Sequence, residues 1–354
     1  MCSLEEVIKE IQPVDQSICV AARDKWDKIA KPLRSLGKLE EMVIQLAGAT
    51  GKLNPEVKKK AVLIFCADNG VVEEGVTQTG SEVTALVTEN FTKGIATVNS
   101  FATVAGARTI PIDIGVNRDL SKVKGLEHKK VAWGTQNIAQ GPAMTGEQCQ
   151  QAIMVGVEMV RKYKEEGYQL FVTGEMGIGN TSTSSAILSV LTGVPVAKVT
   201  GKGAGLSQDG VKHKIAVLEQ AVAVNQPDKT DIWDVMTKLG GFDICGMAGA
   251  FLGGALYHVP VFIDGFISAI AALCAVRLAP ACKDYMFASH CSAEPAGQLT
   301  LQTLGLEACI HGELCLGEGT GGLLGAKLLD FALAAYQEVA EFEQLDIKPY
   351  ELLD

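Results

Sequence analysis

The stretch YQLFVTGEMGIGNTSTSS (168–185) contains the repeating unit of the fold. Tyr168 to Thr173 is an apolar run rich in aromatic and β-branched residues, Gly174, Gly177 and Gly179 interrupt it, and small polar residues then lead into a helical texture. A strand, a glycine-bearing turn and a helix in that order make one step of a parallel α/β sheet. Working outward, the runs AVLIFCAD (61–68), TIPIDIGV (109–116) and VPVFIDG (259–265) repeat the strand texture, with YMFASH (285–290) a fainter example. Their apolar residues are nearly continuous rather than alternating, which is what strands covered by helices on both faces require.

Apolar residues recur at helical spacing in EVTALVTENFTKGIATVNSFATVAG, GEQCQQAIMVGVEMVRKYKEEG and GFISAIAALCAVRLAP. The expected fold is α/β, with a Rossmann-like, mostly parallel sheet flanked by helices. The first 55 residues read as helices punctuated by Pro13, Pro32 and Gly37, and 321–343 reads as helix again. Hence the expected domains are a large α/β domain over 58–300 and a small helical one from 1–57 with 301–354. Ile244 to Ile263 holds no Asp, Glu, Lys or Arg over about the length of a membrane span. Its four glycines, His258 and Pro260 favour a buried helix followed by a buried strand.

A chain of 354 residues with 47% hydrophobic and 20% charged residues can bury a real core, which excludes disordered and low-complexity classes. Its net charge of -10 argues against nucleic acid or an anionic membrane surface as partner. The ten cysteines show no C-x-x-C pair and mostly sit in apolar runs, so free thiols in a reducing compartment are expected. The five histidines form no H-x-x-x-H pattern, so no metal centre is expected. The charged start MCSLEEVIKE lacks the apolar core of a secretory signal, and a cytoplasmic location is expected.

Each strong strand run ends in a polar or glycine-bearing turn: ADNG (67–70), DIGV (113–116), TGEMGIGNTST (173–183), DGF (264–266) and SHCSAE (289–294). In an open parallel sheet these ends share one rim, where ligands sit. In TGEMGIGNTST, Gly177 and Gly179 free the backbone, while Asn180, Thr181 and Ser182 can cap the helix, an arrangement that suits a phosphate. A plain glycine turn before a capped helix fits the same residues equally well. The absence of Gly-Lys-Ser/Thr excludes a P-loop, and the missing third glycine makes a poor dinucleotide fingerprint, which disfavours a nicotinamide-dinucleotide oxidoreductase. VTGKGAGLSQDGVKHK (199–214) is a second glycine-rich loop, with Gly203 at its centre and Lys214 as a point charge for a phosphate clamp. LGEGTGG (316–322) sets Glu318 between glycines, where a low dielectric would make it a better proton acceptor near neutral pH; a Glu at the start of a helix explains it as well. Glu175 sits inside the first glycine loop, fit to address sugar hydroxyls or a developing cation. Asp243, Asp264 and His290 are weaker candidates.

Taken together, KPLRSLGKLE (31–40), ADNGVVEEGV (67–76), GTQNIAQGPAMT (134–145), GEMGIGNTST (174–183), KLGGFDICGMAGA (238–250), VPVFIDGF (259–266), SHCSAE (289–294) and LGEGTGG (316–322) resemble, in order and over nearly the whole chain, the nicotinate-nucleotide:dimethylbenzimidazole phosphoribosyltransferases. The resemblance implies transfer of 5-phosphoribosyl from nicotinate mononucleotide to a cobamide lower-ligand base, with inversion to an α-ribotide and no cofactor or metal. It implies Glu318 as proton acceptor, Glu175, Gly177, Gly203 and Lys214 around ribose and phosphate, and Ser292 as a weaker carry-over. It also implies a homodimer, or a heterodimer with a paralogue. The chain departs from the family pattern at Asn69 (usually His), Arg34 (usually Gly) and Trp133 (usually Arg). In the base pocket Thr79 stands for a serine, and Val87 for a glutamine that hydrogen-bonds the benzimidazole. These substitutions raise the alternative of a phenolic acceptor such as p-cresol handled with a homologous partner subunit, or of a non-catalytic partner.

Overall fold

The computed structural model describes residues 3–351. Six strands form one sheet: β1 (Lys60–Ala67), β2 (Ala107–Gly115), β3 (Glu127–His128), β4 (Leu170–Met176), β5 (Val261–Ile263) and β6 (Met286–Ala288), in the order β3-β2-β1-β4-β5-β6. Every neighbouring pair is parallel. The expected strands are all present. β3 was not expected, because two residues of GLEHKK cannot raise a period-two signal.

All eight residues of β1 are buried, as the continuous apolar run requires of a central strand. The chain runs outward from β1 to β2 and β3, then returns to build β4, β5 and β6 on the other side. The strand order therefore reverses between β1 and β4, and in open parallel sheets ligands gather at the carboxyl ends beside such a reversal. Register pairs Phe65 of β1 with Glu175 of β4, which carries Glu175 to that edge.

The helix Phe242–Leu256 is buried over nearly its whole length and stands against one face of the sheet; Gly246 lies where a side chain would strike Phe65. No helix among the described residues is long and apolar enough to cross a membrane. On the other face, helices from both ends of the chain share one apolar core with Val62, Ile64, Leu170 and Val172. There the Trp26 and Tyr336 rings meet at 4.9 Å, and the Tyr336 hydroxyl donates to the Leu53 carbonyl at 3.0 Å. The helical stretch expected across 82–106 is two helices, Glu82–Lys93 and Thr97–Ala105. Gly94 ends the first in the left-handed conformation at φ 74°, and the Asn99 side chain accepts from the Ala96 amide to start the second. The nine described cysteines are free, and among the described residues no group of His, Cys, Asp and Glu could hold a metal ion. Cys2 lies outside the described residues.

Candidate active site

A cleft at the carboxyl edge of β4 and β5 holds about 870 Å³ of empty space, its open mouth included. Glu175, Gly177, Gly203, Ser292 and Glu318 line it, together with Thr181 and Asp264. Five of the expected site residues thus meet in one place, although they come from four separate stretches of chain.

Glu175 is the penultimate residue of β4 and is buried. Its Oε2 accepts from Asn180 Nδ2, and its Oε1 lies where a Cβ at position 317 would stand, so Gly317 lets the two loops approach without displacing the carboxylate. Burial, reinforced by the nearby Asp243, Asp264 and Glu318, pushes the Glu175 carboxyl up to about 8. Asp243 opens the helix Phe242–Leu256; its Oδ2 accepts from the same Asn180 nitrogen at 2.9 Å and its Oδ1 from the Ile244 amide at 3.0 Å. Burial raises it to about 6.

Glu318 occupies the left-handed region at φ 68°, a conformation that costs a non-glycine residue about 1–2 kcal/mol. Asp264 holds the turn in place: Oδ2 accepts from the Gly319 amide at 3.1 Å and Oδ1 from the Gly322 amide at 2.8 Å. It thereby serves the start of the helix Thr320–Glu338, which no side chain of its own caps. Glu318 Oε2 accepts from the Val98 amide at 3.2 Å, in the first turn of Thr97–Ala105. Burial raises the Glu318 carboxyl, and that amide bond offsets part of the rise.

Lys214 lies on the helix Gln208–Asn225, only 1% exposed, and donates to Thr181 Oγ1 at 2.8 Å. It reaches the cleft through Thr181 rather than lining it. Burial lowers its ammonium to about 8, and Glu294 opposes that fall. Gly203, at φ 51°, crosses over this pair: a side chain there would stand 2.8 Å from Thr181 Oγ1 and 3.5 Å from Lys214 Nζ. Ser292 lies on the same wall, its Oγ accepting from the Glu294 amide at 3.3 Å.

Thr79 and Val87 are not brought into the cleft. Thr79 is exposed, its carbonyl accepting from Thr77 Oγ1, while Val87 packs half-buried on the core of the opposite face. The expected caps also differ. Gly179, not Asn180, Thr181 or Ser182, is the N-cap of the helix Asn180–Thr192, and no side chain caps it there. Asn180 instead spans two carboxylates and Thr181 takes the lysine, two roles that sequence reasoning missed. Glu175 is five residues from Asn180, but Asp243 lies 63 residues from it and Lys214 33 residues from Thr181, so no local motif carries the full set of partners. Arg34 has φ 57°, which explains why glycine suits that position. Asn69 is buried and reaches the Ile178 carbonyl at 3.5 Å, while Trp133 is exposed with the Lys130 ammonium 4.4 Å from its ring. His290 is buried beside Ser289 Oγ at 3.1 Å, and burial lowers its imidazole.

A family model described as a phosphoribosyltransferase matches residues 11–347. The chain is 46% identical over 351 residues to a nicotinate-nucleotide–dimethylbenzimidazole phosphoribosyltransferase of Clostridium acetobutylicum, covering 99% of each chain. It is 45% identical to the protein of that name from Ruminiclostridium cellulolyticum, over 99% of this chain and 100% of that one. The crystal structure of CobT from Thermus thermophilus superposes with a TM-score of 0.90 at 36% identity, over 94% of this chain and 100% of that one.

Proposed function

The chain belongs to the nicotinate-nucleotide–dimethylbenzimidazole phosphoribosyltransferase family, and we propose that it moves 5-phosphoribosyl from nicotinate mononucleotide to 5,6-dimethylbenzimidazole. The observation that carries this reading is the pairing, in one cleft, of a buried lysine behind a glycine loop with two carboxylates, Glu175 near the end of β4 and Glu318 on its turn. A mononucleotide with a cationic pyridinium at one end and a phosphate at the other has the matching charge pattern.

In the proposed step the C1′–N bond breaks and its electron pair passes to the pyridine nitrogen. The leaving group departs as neutral pyridine nitrogen and needs no proton. An acceptor ring nitrogen forms the new bond from the opposite face, so a single displacement inverts the anomeric centre. The transition state carries positive charge on the ribose, as in other glycosyl transfers. Glu175 faces that charge, which favours its ionised form. Glu318 takes the proton that the acceptor's other ring nitrogen loses; its raised carboxyl suits it to that work near neutral pH. Lys214 with Thr181, and the backbone at Gly203, hold the phosphate; Gly177 and Ser292 border it.

The names of the relatives support dimethylbenzimidazole as acceptor and give no support to a phenol. Assembly with a second copy or a paralogue belongs to the same reading and is tested by sedimentation. The function itself is tested by incubating the chain with nicotinate mononucleotide and a mixture of benzimidazoles and phenols. Mass analysis should find the dimethylbenzimidazole ribotide, α-configured by NMR; a β-ribotide, or none, would refute the reading.

A further inference from the structure

Asn180 has an unusual place for an amide. It is the first residue of its helix and 4% exposed, and one nitrogen, Nδ2, lies within hydrogen-bonding distance of Glu175 Oε2 and Asp243 Oδ2 together. An amide nitrogen carries two N–H groups, one for each carboxylate. The reverse orientation would set the amide oxygen against two carboxylate oxygens, which is tolerable only if both acids held protons. Everything else that faces Glu175 works against its ionisation. Asp243 comes from the helix Phe242–Leu256, Asp264 follows β5, Glu318 sits on its turn, and the Cys66 thiol of β1 lies behind. All four are neutral or anionic. Gly177 keeps the space tight: a side chain there would stand 2.6 Å from Asp243 Oδ2 and 2.6 Å from the Ala67 carbonyl.

Resting on the phosphoribosyl transfer proposed above, we infer that Asn180 is a positioning residue: by bridging Glu175 and Asp243 it holds the Glu175 carboxyl at the cleft wall and favours its ionised form as the cationic ribose develops. Asn180 also borders the cleft, but its amide nitrogen is taken up by the two carboxylates, so its role runs through Glu175. The direction follows from the hydrogen bond. Donation to a carboxylate favours the charged form, so removing the donor raises the Glu175 pKa, whereas removing the Asp243 charge lowers it.

The test uses the full chain and two readouts. Infrared difference titration follows the protonated carboxyl band of Glu175, assigned by its loss in Glu175→Gln. The pH profile of kcat follows the transfer. Asn180→Leu should move the infrared midpoint upward by about one unit and shift the acid limb of kcat with it, giving roughly tenfold loss on the acid side and a change of about twofold or less on the alkaline plateau. Asn180→Ser, which keeps one donor, should fall between Leu and Asn. If Asn180→Leu does not fold, Asp243→Asn supplies the opposite sign, a downward midpoint. An unmoved midpoint with a uniform fall in kcat at every pH would overturn the inference, since that is how a merely structural residue behaves. A moved midpoint with an unmoved acid limb would equally deny the role in transfer. If the unaltered chain forms no ribotide while the midpoint still moves with Asn180, the function reading fails and the hold of Asn180 on Glu175 stands.

Discussion

The two walls of the cleft are built on opposite plans. One wall is acidic and heavily partnered: Glu175 is held by Asn180, Asp264 by two backbone amides, and Glu318 by the amide of Val98. The other has a single buried cation, Lys214, bonded to one hydroxyl. Burial acts on both in the direction of neutrality, pushing Glu175 up to about 8 and drawing Lys214 down to about 8. On its own, the cleft therefore holds groups whose charges are suppressed. In the proposed reading the mononucleotide would supply the missing counter-charges, its phosphate to the lysine and its cationic ring to the carboxylates. The acidic wall is thus fixed by several internal hydrogen bonds, whereas the lysine of the basic wall has one hydroxyl partner and the charge of Glu294 nearby.

The largest loss is expected at Glu318, the proton acceptor of the proposed step. Glu318→Gln preserves an oxygen for the Val98 amide, so the fold is kept, yet kcat should fall by about 10²–10⁴ with donor affinity little changed. Stopped-flow or steady-state rates beside direct donor binding check this; a rate within threefold of the parent would remove Glu318 from its role. The basic wall comes next. Lys214→Ala should raise the KM of the phosphorylated donor by roughly 10–100-fold while leaving that of the acceptor unchanged, as loss of a charge-assisted bond to phosphate predicts. An equal rise in both would mean that Lys214 holds the cleft together rather than the phosphate.

The stored electrostatic cost of the acidic wall gives a smaller, purely thermodynamic effect. A carboxyl raised in the folded state contributes stability below its unfolded pKa, which is lost as pH climbs through the folded value near 8. Glu175→Gln should therefore raise Tm of the ligand-free chain by roughly 2–4 °C at pH 8.5, with the gain shrinking towards pH 4. Scanning calorimetry at several pH values reads it, and a pH-independent shift would break the account of this wall. The smallest effect concerns position 87. Because Val87 faces the core rather than the cleft, Val87→Gln should change the ratio of benzimidazole to phenol turnover by about twofold or less; a larger swing would place the helix Glu82–Lys93 on the acceptor.

The parts of the molecule that were legible in the sequence are those written in contiguous residues. AVLIFCAD and YQLFVTG announce central strands because burial on both faces demands unbroken apolar runs. Glu318 between glycines and Lys214 beyond a glycine loop were visible because a turn that lets backbone approach a ligand needs glycine nearby. What stayed hidden depends on chain crossing. Asp264 reads as the polar end of a strand, yet its work is to hold the amides of Gly319 and Gly322, more than fifty residues on. Asn180 reads as a helix cap, but Asp243, 63 residues on, joins Glu175 on its amide only once β4 lies beside the buried helix. Val87 shows the converse: its place near the base rests on correspondence with a family pattern alone, while its helix packs it half-buried against the core.

The most direct measurement is a crystal structure of the chain with nicotinate mononucleotide bound and no acceptor present. The account predicts the phosphate on Lys214 and Thr181 beside Gly203. It predicts the ribose C1′ facing Glu175, with a slot the width of one aromatic ring between C1′ and Glu318. A phosphate seated elsewhere, or Glu318 turned from the anomeric carbon with no such slot, would contradict it.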